Sequence, residues 1–178
     1  MSISNRVFAL AAGLLICTAS SAEMMKNEPA DFRGVVWDQP FDRIGEGMAI
    51  VRDEGHVKYY IRAGDTQKIG HVDAIKVAYR FYKDQFSSGI VQTYGGANQK
   101  AVLAALSDTY GPPLRPRKRI PQYFWDGEKA FIVLTCEATS YCVVEISSKD
   151  VIQREQSETG NDGRAHKGKD KDGEKDGD

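Results

Sequence analysis

The chain has no Gly-x-Ser-x-Gly elbow, no His-Glu-x-x-His helix and no phosphate-cradling glycine loop, which excludes the enzyme classes that such spacings announce. Histidine is scarce, and no two of His56, His71 and His166 stand at metal-ligand spacing, so neither a metal site nor a cofactor is expected. An excess of charge of either sign is also lacking, since 24 lysines and arginines face 25 aspartates and glutamates. With residues 1–22 and 157–178 set aside, eighteen charges of each sign remain over 23–156. A domain without net charge exerts no bulk pull on nucleic acid or on an anionic membrane, and nucleic acid is not an expected partner. There is no internal repeat. After the opening residues no apolar run reaches the roughly 20 residues that cross a bilayer.

The opening residues read as an address rather than as part of the fold. Arg6 precedes an uninterrupted run without charge from Val7 to Cys17, and Ala19-Ser20-Ser21-Ala22 offers small side chains where a signal peptidase reads. The run has the length of a signal-peptide core. Residues 1–22 are therefore predicted to be a signal peptide cut after Ala22. Lipidation of Cys17 is not expected, because it needs a small residue in front of the cysteine and Ile16 stands there. The mature protein is expected to be soluble, in the periplasm or outside the cell, with no transmembrane segment.

Residues 23–31 are polar, include Pro29 and predict a short flexible lead-in. From Phe32 the pattern is that of strands. Met48 and Ile50, then Val57, Tyr59 and Ile61, alternate around Asp53-Glu54-Gly55-His56, a hairpin signal. Ile75, Val77, Tyr79 and Phe81 alternate with Lys76, Ala78, Arg80 and Tyr82, which predicts a half-buried strand, and Ile90 to Tyr94 is its expected partner after a turn near Lys83-Asp84-Gln85. The period then changes. Val102, Leu103, Leu106 and Tyr110 recur at helical spacing, Asn98 is placed to cap the start, Gly111 to end it, and Pro112-Pro113 forbid continuation. After a proline-rich loop, Tyr123-Phe124-Trp125 and two further alternating runs restore strands. Several strands, one helix and several strands argue for an α+β domain over 32–150: an antiparallel sheet of about six to eight short strands with one main helix, about 97–110, packed on one face. Residues 151–178 are charged, glycine-rich towards the end and without aromatics, and predict a disordered tail. Within it Asp170 to Glu174 faintly resembles a calcium loop, but the glycine is misplaced.

Two cysteines remain after the predicted cut. Pairing Ile132 with Ile146 and Leu134 with Val144 brings Cys136 opposite Cys142 on the same apolar face, so parity and register together predict a disulfide there in an oxidising compartment. Candidate binding surfaces are two. Adjacent aromatic pairs such as Tyr59-Tyr60 and Phe81-Tyr82 place rings on both faces of a strand. One face must be core; the other is covered by the chain termini or forms a surface for a ligand, with Tyr60 and Tyr82 as its expected members. The second candidate is the basic cluster Arg115, Arg117, Lys118 and Arg119, stiffened by Pro112, Pro113, Pro116 and Pro121.

The Phe32-Arg33-Gly34…Trp37 opening, Tyr60, the Phe81-Tyr82…Asp84…Phe86 stretch, Tyr110-Gly111-Pro112-Pro113 and Tyr123-Phe124-Trp125 together resemble a group of uncharacterised small exported bacterial proteins. The resemblance covers about residues 32–147. It departs at Asp38, where glycine is expected after the tryptophan, and in the cysteine pair. It implies a small α+β domain in the cell envelope and no activity.

No catalytic residue is predicted. The sequence is read as a non-catalytic envelope protein that binds a partner protein, a peptide or a glycan, or serves as an accessory; a small periplasmic enzyme whose acid–base residues meet only in the fold is the alternative. A concave pocket with convergent acids and an aromatic favours the enzyme, and a flat exposed aromatic patch favours the binder. Oligomeric state is left open.

Overall fold

Strand after strand alternates large apolar side chains with polar ones, and the folded chain turns that alternation into one antiparallel sheet with two unlike faces. The computed structural model describes residues 24–114, 121–137 and 140–167, with side chains to residue 159. A first short hairpin, β1 (Asp31–Phe32) and β2 (Val35–Val36), leads through a single helical turn, α1 (Phe41–Ile44), into β3 (Met48–Glu54) and β4 (Val57–Arg62). A second short hairpin, β5 (Lys68–Ile69) and β6 (Val72–Asp73), precedes the long strands β7 (Lys76–Tyr82) and β8 (Gln85–Tyr94). Helix α2 (Gly96–Tyr110) then crosses to β9 (Gln122–Asp126), β10 (Ala130–Cys136) and β11 (Tyr141–Ser148), and α3 (Lys149–Lys167) follows. The main sheet has seven strands in the order β3-β4-β7-β8-β11-β10-β9. It is the α+β architecture expected, with α2 against the sheet.

One face is the core. Tyr79, Phe81, Phe86, Val91, Ile132, Leu134 and Val144 lie on it fully buried, and α2 adds Val102 and Leu106. The helix ends where expected: Gly111 takes φ +87° and its N–H bonds to the Ser107 carbonyl, a conformation that glycine adopts without side-chain strain. Its start differs from expectation. Asn98 sits inside the first turn and donates its amide back to the Tyr94 carbonyl at 2.7 Å, while Gly95 holds the cap position. Strand β8 also begins five residues before Ile90. Lys83 and Asp84 form a two-residue turn, both left-handed at φ +46° and +60°, so pairing resumes at once with Tyr82 opposite Gln85.

The last hairpin pairs Ile132 with Ile146, Leu134 with Val144 and Cys136 with Cys142, and a disulfide joins the two cysteines across a Cα separation of 4.1 Å. The register is set by keeping every apolar side chain of both strands on the core face.

Two expectations about the chain ends are corrected. Residues 24–31 are pinned, not loose: Met25 donates its N–H to Asp126, Lys26 to Tyr110, and the Glu28 carboxylate accepts the N–H groups of Glu128, Lys129 and Ala130. Burial pushes the Glu28 carboxyl up, but those three N–H groups and Lys149 outweigh it and hold it below the usual range. At the other end, residues 151–167 continue a helix that was expected to be tail. Its first turns lie on the sheet face opposite α2, with Val151 fully buried. Three ion pairs add to that anchor in holding the helix: Arg80–Glu155 at 2.5 Å, Lys83–Glu158 at 2.5 Å and Arg154–Asp38 at 2.6 Å. Apolar periodicity could not report it, because the partners of its acids lie far away in sequence. The expected signal peptide and residues 168–178 lie outside the described residues. Among the described residues no helix is long and apolar enough to cross a membrane.

Candidate functional site

The turn of the first hairpin consists of Arg33 and Gly34, both left-handed at φ +56° and +78°. Asp31 supports it by accepting the Gly34 N–H on Oδ1 at 2.9 Å. So tight a reversal lays Phe32 flat on the sheet. Its ring meets Tyr79 edge-on at 5.4 Å and sits directly over Gly89, where a Cβ would fall 2.1 Å from the ring. Glycine is required at position 89 because the ring takes the space of a side chain.

Arg33 reaches the loop after β4. Its guanidinium pairs with Asp65 at 3.0 Å and donates to the Thr66 and Lys68 carbonyls. Asp65 also accepts the Tyr79 hydroxyl at 2.7 Å and lies 3.6 Å from Arg62, whose guanidinium stands 4.9 Å over the Tyr79 ring. Burial pushes the Asp65 carboxyl up, but the Tyr79 hydroxyl and the Arg33 guanidinium outweigh it and hold it below the usual carboxylate range. Burial first, and then the bond to Asp65, push the Tyr79 hydroxyl far above its ordinary value. This cluster fastens the β5–β6 hairpin to the turn of β1–β2.

From its other end, the β5–β6 turn leans on α2. A Cβ at Gly70 would lie 3.0 Å from that of Ala105. The two hairpins and the C-terminal half of α2 thus become the walls of a half-open cleft of about 450 Å³, a volume in the range of small-molecule sites. Its floor is apolar: Phe32, Val91, Leu106 and Ile146. Its rim is polar and carries Asp31, Lys68, His71, Asp108 and Tyr110. Arg33 also lines it, but its guanidinium is committed to Asp65 and two carbonyls. Lys68 is ion-paired with Asp73 at 3.6 Å. Neither Asp31 nor Asp108 has an ion-pair partner among the described residues. Burial, and then the negative charge of Asp31, push the Tyr110 hydroxyl up. Among the described residues no group of three or more His, Cys, Asp or Glu side chains is placed to hold a metal ion.

The residues expected at a binding surface lie elsewhere. Tyr60 is buried on the core face, stacked on Phe41 at 4.3 Å and edge-on to Phe81 at 5.2 Å. Tyr82 does point to the opposite face, but α3 covers it and its hydroxyl donates to Glu158 at 2.5 Å. Neither is a surface residue. The helix thus realises the covered form of that face at the end where Tyr82 lies. Away from α3 the face stays open, with Tyr94 62% exposed and Tyr141 and Val143 half-buried. Arg115, Arg117, Lys118 and Arg119 lie outside the described residues. Of the three histidines, His56 is in the β3–β4 turn and His71 on the cleft rim.

Reading by motif missed the cleft. The one signal for it in the sequence is Arg33-Gly34, a tight-turn pair flanked by the apolar Phe32 and Val35. The fold and the cleft define the class: a two-faced antiparallel sheet, strapped by one helix on each face, with a small-molecule-sized cleft beside the main helix. No family model matches the chain, and no curated protein or solved structure matches it.

Proposed function

We propose that the protein is an exported, non-catalytic binding module of the cell envelope that holds a small ligand in the cleft between α2 and the two hairpins. The observation that carries the reading is the make-up of that cleft: a floor of core side chains, walls fastened by the Arg33–Asp65–Tyr79 cluster, and a rim whose carboxylates have no ion-pair partner among the described residues. Such a rigid concavity needs little reordering to bind, so more of the contact energy appears as affinity. The signal-peptide character of residues 1–22, the Cys136–Cys142 disulfide and the resemblance to small exported proteins support the location. The resemblance also gives Asp38 a physical context: its φ is +63°, a conformation that suits the glycine expected there.

Amide chemical-shift mapping of the full mature chain with a neutral aromatic probe, 2-phenylethanol, tests the site. Shifts confined to residues 31–33, 69–71 and 105–110 are the expected result. Shifts centred on Tyr94, Tyr141 and Val143 instead would move the site to the open sheet face and overturn the reading. Intact mass of the exported protein tests the location, with the mature chain beginning at Glu23. A second reading, a small enzyme, is favoured by the meeting of Asp31, His71, Asp108 and Tyr110 at one rim. It requires chemical change of a molecule bound there, and recovery of every bound molecule unaltered counts against it.

A further inference from the structure

The charge arithmetic of the cleft narrows its ligand. Three kinds of charged group border it, and they are not equally free. The Arg33 guanidinium is occupied by a carboxylate that is itself 5% exposed and by two carbonyls. Lys68 faces Asp73. Asp31 spends one oxygen on the Gly34 N–H, Asp108 is exposed on the last turn of α2, and neither has an ion-pair partner among the described residues. Arg62 lies 3.6 Å from the same Asp65 carboxylate, so that cluster keeps one positive charge; the two carboxylates without ion-pair partners, Asp31 and Asp108, outweigh it and leave the site net negative above an apolar floor. Tyr110, whose hydroxyl is pushed up by burial and by Asp31, stays neutral on the same rim and adds no competing cation. A ligand carrying a carboxylate or phosphate would bring like charges together, which costs affinity. A cation on an apolar body would satisfy both parts of the site.

Resting on the cleft being the binding site, we infer that its ligand is a small amine, with an apolar body seated on Phe32, Leu106 and Ile146 and a protonated nitrogen held between Asp31 and Asp108. The carboxylates supply selectivity for the cation, and the floor supplies the affinity that an isolated exposed ion pair does not.

Three probes of one shape and different charge separate this inference from the reading beneath it: 2-phenylethylamine, 2-phenylethanol and 3-phenylpropanoate, titrated against the full mature chain at low salt and about pH 8. The amine is expected to bind at least tenfold more tightly than the propanoate, with shifts at Asp31, Gly70, His71, Asp108 and Tyr110. That preference should shrink as salt is raised, because the rim is open to solvent. Asp31→Asn keeps an acceptor for the Gly34 N–H, and Asp108→Asn changes an exposed helix position, so both variants should fold. Together they should reduce the amine's advantage over the propanoate by at least fivefold. Asp150→Asn, which removes a carboxylate from the opposite side of the sheet, should leave the advantage intact. Equal binding of all three probes in the cleft overturns the amine assignment while leaving the cleft as the site. Absence of cleft shifts with every probe overturns both.

Discussion

Replacing Glu155 by alanine should detach the C-terminal helix without unfolding the sheet. Among the residues whose side chains are described, helix α3 has one fully buried apolar anchor, Val151, with Ile152 half-buried beside it; burial of one such side chain contributes about 1.5–3 kcal/mol. Its strongest polar contact is Arg80–Glu155 at 2.5 Å, with side chains 12% and 18% exposed. Removing one partner of a fully buried pair costs about 3–5 kcal/mol. Residual solvent reduces that here, and Arg80 keeps a bond to Ser87 at 3.0 Å, so about 2 kcal/mol is the reasoned loss. At about 1.4 kcal/mol per factor of ten, the undocked population should rise roughly thirtyfold. Hydrogen exchange reads this directly. Amides of residues 153–159 should exchange about thirtyfold faster in Glu155→Ala, while those of β7, β8 and β11 keep their protection, because local and global opening are separate events. The charge exchange Arg80→Glu with Glu155→Arg should recover part of the protection. A change of less than about threefold in the exchange of 153–159, or an equal loss of protection in the core strands, would refute an independently docked helix.

Three further outcomes are expected. Replacing Cys136 and Cys142 together by serine reopens a loop of separation 6; chain-entropy arguments put the loss at about 2 kcal/mol in urea unfolding, and an unchanged midpoint refutes a stabilising cystine. The Asp65 carboxyl lies below its unfolded value, so its contribution is fully present above about pH 4 and disappears as pH falls through the folded value; Asp65→Asn should lower stability at neutral pH and flatten the acid limb of a stability–pH curve, and an unaltered acid limb rejects this. Tyr60→Ser should cost about 3 kcal/mol in thermal or urea unfolding, as expected for emptying a space between packed rings, whereas a change below about 0.5 kcal/mol would return Tyr60 to the surface.

Side-chain period carried far where the partner of an element was near in sequence. The β10–β11 register and its disulfide followed from parity alone, since a slip of one residue would turn Leu134, Val144 and both cysteines to the other face. Helix α2 announced its end through Gly111 and two prolines. Parity failed at bulges. Between Arg80 and Phe81 the pairing of β7 with β8 slips by one residue, which lets Phe86 join Val91 on the core face despite odd spacing. A single sequence gives no local sign of such a slip.

What the residue order determined by itself was the repetitive part: alternating strands, one helix with its stop, and a cysteine pair on one face. These depend on neighbours a few positions apart, and local sterics and burial decide them. The tertiary structure alone decided the rest. Charges at 38, 80 and 83 help to hold α3 down, and residues 31–33, 68–71, 91, 105, 106, 108–110 and 146 meet around one cleft. Convergence over such distances depends on strand order and crossover. An ion pair or a concave floor exists only after the chain has been folded back on itself, because both arise from groups that share space and no sequence neighbourhood.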